Sequence, residues 1–121
     1  MTRAQLEEIA SERPDQLALI FARVVDDKPQ ACMDEHGFPK VHPTLETLCP
    51  NYLSDWTTVV NAGIRAKLEI TIEVGLSAEV ETQLPDKKYY YCTQKSDWPP
   101  CAALMIVMIE AMEGKSHEAH R

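Results

Sequence analysis

The chain has 121 residues, suiting one domain with one core; 45% apolar and 26% charged residues make an ordinary globular balance, and only four glycines argue against a glycine-rich linker or repeat. A formal net charge of −7, with neither half basic, argues against nucleic acid as a partner, which needs a positive footprint, and favours basic protein surfaces. Residues 1–16 carry Glu7, Glu8 and Glu12 and no apolar run, so an export signal is not expected.

Thr2 can cap a first helix, with Gln5 three residues on as in a capping box, and Leu6, Ile9 and Ala10 then share a face. Pro14 either kinks this helix or starts a second one. Leu17, Ile20, Phe21, Val24 and Val25 repeat at three and four and predict an amphipathic helix over about 14–26. Asp26 and Asp27 suit its negative C-terminal end poorly, so fraying is expected there.

Residues 27–51 hold Pro29, Gly37, Pro39, Pro43 and Pro50, which prevent a long regular element. Phe38 and Val41 can pair briefly; the rest reads as surface or binding loop. Cys32, His36, His42 and Cys49 are acceptable zinc ligands by type, but their spacing is not a compact metal pattern, and no metal or cofactor is expected. Cys32 with His36 is the only local nucleophile–base pair, and no oxyanion loop or phosphate loop accompanies it, so no enzyme is expected. Without an export signal, the four cysteines read as reduced thiols of a cytosol.

Asn51 or Ser54 can cap the next helix, with Leu53, Trp56, Val60 and Ile64 on its buried face and Gly63 as its terminator. Leu68, Ile70, Ile72 and Val74 then alternate with Glu69, Thr71 and Glu73, a half-buried strand. Ala78 and Val80 suggest a return strand, "PDKK" (85–88) a turn, and "KYYYCT" (88–93) a third strand with either Tyr90 and Cys92 or Tyr89 and Tyr91 pointing inward. The fold class expected is α+β, a small antiparallel sheet of about three strands packed with these helices.

Between Trp98 and Ile109 there is no charged side chain. That run is too short to span a bilayer, which takes roughly 20 residues, so no membrane is expected. It predicts a helix over 98–113 ending at Gly114, with Pro99 and Pro100 in its first turn and 115–121 as a polar tail beyond the 1–114 domain. Such a helix must be covered on nearly all sides. So small a chain barely encloses one, which leaves room for a homodimer through 98–113.

The stretches "DQLALIFARVV", "PNYLSDWTTVV" and "DWPPCAALMIVMIEAM" resemble the layout of small tailed-phage proteins, the phage ABA-sandwich domain and a group of uncharacterised lambda-type nin-region proteins. Asn51, Tyr52, Asp55, Pro100, Ala102 and Ala103 carry the likeness, which covers about a third of the chain. Residues 65–92 lack the strand tryptophan of that layout, and Pro99 stands where a small polar residue is expected. The resemblance implies a phage accessory protein, viral and with no established enzyme activity, working in the host cytoplasm. By analogy of role it acts on a host protein or a small nucleotide, as an antagonist of host defence. The alternative is a structural or assembly protein whose task is oligomerisation.

For binding, Tyr52, Tyr89 and Tyr91 are the aromatics expected to be exposed, and Arg65, Lys67, Lys87 and Lys88 the cations expected to hold a phosphorylated ligand. Core packing is the plainer reading of each aromatic, Trp56 above all.

Overall fold

The structure is a computed structural model describing residues 1–73, 77–82 and 89–119. Four helices, α1 (Arg3–Glu12), α2 (Pro14–Val24), α3 (Trp56–Arg65) and α4 (Ala102–Ala119), accompany a two-stranded ribbon, β1 (Cys32–Met33) and β2 (Pro39–Lys40), and a three-stranded antiparallel sheet, β3 (Leu68–Glu73), β4 (Ser77–Thr82) and β5 (Tyr89–Thr93). The class is α+β.

The start of the chain follows local chemistry. The Thr2 side chain accepts from Gln5 N–H while the Gln5 side chain accepts from Thr2 N–H, closing the capping box. Pro14 opens α2 at a position where its missing N–H costs nothing. The sheet is a meander in which Ile70 faces Val80 and Val80 faces Tyr90 across the ladders. On β5, Cys92 is buried and Tyr90 half-buried, while Tyr89 and Tyr91 stand exposed, which decides the alternation. The 85–88 turn lies outside the described residues.

Helix α4 is the centre. Leu104 through Ile109 have no exposed surface. The sheet covers α4 on one side, α1 and α2 on the other, and α3 also touches it. One chain therefore suffices to enclose the helix, and a homodimer through 98–113 finds no apolar face left on residues 101–109. The helix also starts and ends later than its sequence suggests. Pro99 and Pro100 lie in the turn before Ala102, and the helix passes through Gly114 to Ala119, into the segment read as a tail.

Both glycines read as terminators lie inside helices. A methyl group built at Gly63 overlaps the end of Met108 and sits 2.6 Å from Ile70 Cδ1; one built at Gly114 overlaps the Tyr90 hydroxyl. These glycines let α3 approach α4 and β3, and α4 approach β5. The residue that ends α3 in the left-handed conformation is Lys67, with φ 63°, and its N–H returns to the Ile64 carbonyl (3.0 Å).

These backbone demands predict opposite effects at nearby sites. Lys67→Gly raises stability by about 0.5–1 kcal/mol, because glycine adopts the left-handed turn without steric cost. Gly63→Val lowers it by about 1–3 kcal/mol, because Met108 and Ile70 must give way. Urea midpoints of the two variants against the parent chain read both signs.

Candidate functional site

Among the described residues, two recesses bring chemistry-bearing side chains together. The first is a cleft of about 540 Å³ between the C-terminal ends of α2 and α3, lined by Arg23, Asp26, Asp27, Lys28, Arg65 and the apolar Met112, among others. At its floor is Asp26, whose side chain is only 2% exposed. Its carboxylate accepts from Tyr52 Oη (2.5 Å), Lys28 Nζ (2.7 Å) and an Arg65 guanidinium N–H (2.6 Å). Burial pushes the Asp26 pKa up, but the hydrogen bonds from Lys28, Tyr52 and Arg65 together outweigh it and hold the group below its ordinary value. Burial, and then the Asp26 carboxylate, push the Tyr52 phenol far up, so it remains a donor at any physiological pH. Asp26 is thus not part of a fraying end. The chain leaves α2 through Asp27, at φ 51°, and Lys28 N–H returns to the Ala22 carbonyl (3.0 Å).

The cleft holds three cations but no standing positive field. Lys28 and Arg65 share the single charge of Asp26, Asp27 supplies a second acid, and Arg23 Nε donates to the Ala31 carbonyl (2.7 Å). The C-terminal dipoles of α2 and α3 add partial negative charge at the same place. The arrangement is an internally balanced lock.

The second recess, of about 250 Å³, lies against the start of α2. Asp15 and Ala18 line it from the helix, with Phe38, Pro39, Leu48 and the 49–53 turn opposite. Phe38 is 53% exposed, Leu45 50% and Leu48 53%. The segment carrying them is irregular yet tied down. Asp34 Oδ1 accepts from His36 N–H and Phe38 N–H, both at 2.8 Å, and these backbone donors hold its pKa down. Gly37, at φ 82°, makes the turn between them. Lys40 forms a bridge with Leu48, flanked by hydrogen bonds from Val41 N–H to the Thr47 carbonyl (3.0 Å) and Cys49 N–H to the Pro39 carbonyl (2.9 Å). His42 Nδ1 accepts from Thr44 N–H (3.1 Å).

The residues singled out in the sequence do not form one site. Tyr52, expected at the surface, has no exposure because its hydroxyl serves Asp26; it packs on Phe21 with ring centroids 4.8 Å apart. Arg65 shares that node and lines the cleft, its side chain 63% exposed. Lys67 is exposed at the turn after α3. Tyr89 and Tyr91 stand on the outer side of β5, and Lys87 and Lys88 lie outside the described residues. Trp56, expected in the core, is exposed at the first position of α3. The N-cap is Asp55 rather than Asn51 or Ser54, and the helix buries Val59, Ala62 and Gly63 while Ile64 stands out.

Among the described residues no group of three or more histidine, cysteine or acidic side chains is placed to hold a metal ion, so Cys32, His36, His42 and Cys49 do not converge as a set. Burial pushes the Cys92 and Cys101 thiols up to about 11, which leaves them protonated and inert at neutral pH. Among the described residues no helix is long and apolar enough to cross a membrane. Reasoning from sequence marked 27–51 as a surface or binding loop but did not single out Phe38, Leu45 and Leu48 within it, and it read Asp26 only as part of a fraying helix end. The signal for Asp26 was its poor fit to a helix C-terminus; for the others it was apolar residues without periodicity in a proline-rich stretch. No family model, no curated protein and no solved structure matches this chain.

The lock makes two predictions. Asp26→Asn costs about 2–4 kcal/mol, since it takes the countercharge from Lys28 and Arg65, and Tyr52→Phe costs about 1.5–3 kcal/mol. The unfolded chain binds a proton to Asp26 more readily than the folded one. The stability contributed by the ionised carboxylate is therefore whole above its ordinary pKa of 3.8 and drains away as pH falls through the lower folded value. Urea titrations from about pH 5 downward show a shallower acid loss in Asp26→Asn than in the parent chain.

Proposed function

We propose that this chain is a non-enzymatic binding protein, a phage accessory protein of the kind its sequence resembles, whose target is a host protein rather than a nucleotide. One observation carries the reading: Phe38, Leu45 and Leu48 stand half-exposed on a segment whose backbone is fixed by its own hydrogen bonds. Large apolar side chains held out to water on an ordered frame cost little further entropy on binding and act as anchors. The nucleotide alternative needs a pocket of net positive charge, and the cleft sets Asp26, Asp27 and two helix C-termini against its three cations. A net charge of −7 steers the chain toward basic protein surfaces. Action in the host cytoplasm against a defence protein is the specific role that follows from the resemblance.

The test is affinity capture from a bacterial lysate with the parent chain, a Phe38→Asp/Leu48→Asp variant and a Tyr89→Ser/Tyr91→Ser variant, each checked for parental stability. The parent retains a discrete protein, the first variant loses it by about tenfold or more in affinity, and the second keeps it. Native mass spectrometry of the same samples reads the rivals. An adduct of a few hundred daltons that disappears in Arg65→Ala overturns the reading in favour of nucleotide capture. A dimer that falls apart in Phe38→Asp/Leu48→Asp overturns it in favour of self-assembly.

A further inference from the structure

The bridge between Lys40 and Leu48 has a free side. In an antiparallel pair, hydrogen bonds from Val41 to Thr47 and from Cys49 to Pro39 enclose a pair whose own N–H and C=O groups point away from each other. On Lys40 those groups face β1, its other neighbour. On Leu48 they face outward, and neither has a hydrogen-bond partner among the described residues. The Leu48 side chain forms one wall of the apolar recess beside Phe38. A backbone donor and acceptor without a protein partner and an apolar recess thus share one residue.

Resting on the reading above, we propose that the partner docks as an extended segment that pairs with the Leu48 backbone and places one apolar side chain into the recess. Strand addition uses such an edge: main-chain hydrogen bonds give affinity and alternate side chains give specificity. The edge is short, since Pro50 follows two residues on and has no N–H to offer. The paired stretch is therefore one or two residues, and the recess selects the anchor. Asp15 at its wall and Glu46 two residues before Leu48 outnumber Lys40, the bridge partner of Leu48, whose ammonium is turned to the Pro43 carbonyl (3.1 Å), and leave the surroundings a negative balance. The occupant is an extended peptide segment with a leucine-, methionine- or phenylalanine-like anchor flanked by lysine or arginine.

The experiment selects binders from a random dodecapeptide display library on the parent chain, with counter-selection on Leu48→Asp, and synthesises the tightest clone. Its affinity is read by fluorescence anisotropy, as made and with each backbone nitrogen methylated in turn. Expected are basic residues around one apolar anchor, at least tenfold loss on methylation at alternate positions about the anchor, and slowed hydrogen exchange of the Leu48 amide in the complex. A flat methylation profile, or a peptide bound as a helix, overturns strand pairing while leaving the protein-binding reading intact. Failure to select any Leu48-dependent peptide overturns the inference too, and the lysate capture then tests protein binding independently of it.

Discussion

Helix α4 has no polar face over residues 102–109, and this constraint shapes everything packed around it. A helix in that condition must be surrounded, and a chain of 121 residues has few elements to do it with. The sheet supplies one wall, α1 and α2 another, and α3 is drawn in as well. Each fully buried leucine, isoleucine or methionine contributes about 1.5–3 kcal/mol, so the helix is the main source of stability and the other elements are amphipathic because they wrap it. Close approach is needed on two sides, and there the chain has Gly63 and Gly114. Charge returns only at Glu110, where Arg3 closes the sheath: its Nε donates to Glu110 Oε1 (2.7 Å) and another guanidinium N–H to the Tyr91 carbonyl (2.8 Å), tying α1, α4 and β5.

The Asp26 lock solves a different problem. The chain from Lys28 to Asn51 leaves the core and returns with little regular structure to guide it. Asp26 stands at its departure and Tyr52 at its return, and their hydrogen bond clamps the two ends. Arg65 brings the end of α3 to the same carboxylate. A buried charge is costly unless several donors meet it, and here the donors come from three separate parts of the chain. The same bonds that secure the excursion also draw Lys28 and Arg65 onto Asp26, so the larger cleft serves as a joint, and the proposal places binding at the smaller recess on the excursion itself.

Periodicity made the helices, a small antiparallel sheet of about three strands and the buried run legible in the sequence, because period and apolar content report burial directly; the order of the strands was not. The first capping box and Pro14 were legible for the same local reason. The errors fall where a tertiary partner decides. Trp56 and Ile64 share a helical face with Leu53 and Val60, but α3 is turned so that Val59 and Ala62 meet the core, and no pattern within the helix fixes that rotation. Gly63 resembles a terminator until Met108 and Ile70 are seen against it. Tyr52 is a hot-spot type by composition, yet Asp26, 26 residues earlier, claims its hydroxyl. The apolar run seemed to ask for a second subunit because the thickness of its wrapping is a property of the packed whole.

On the proposed reading, the recess on the excursion is a binding surface that also resists promiscuous pairing. A long, flat apolar edge would recruit any unfolded strand. Here the ladder around Leu48 is held to a single bridge, with Pro39 and Pro50 both at its Cys49 end. Phe38 and Leu48 stay exposed without offering a template of useful length. Backbone pairing over so short a stretch is too weak to hold a partner alone, and one apolar anchor in 250 Å³ is modest by itself. Affinity then requires both at once, in one register, with charges that suit Asp15 and Glu46. Specificity follows from the brevity of the edge: a segment that satisfies the backbone but misplaces its anchor by one residue turns that anchor to the opposite face.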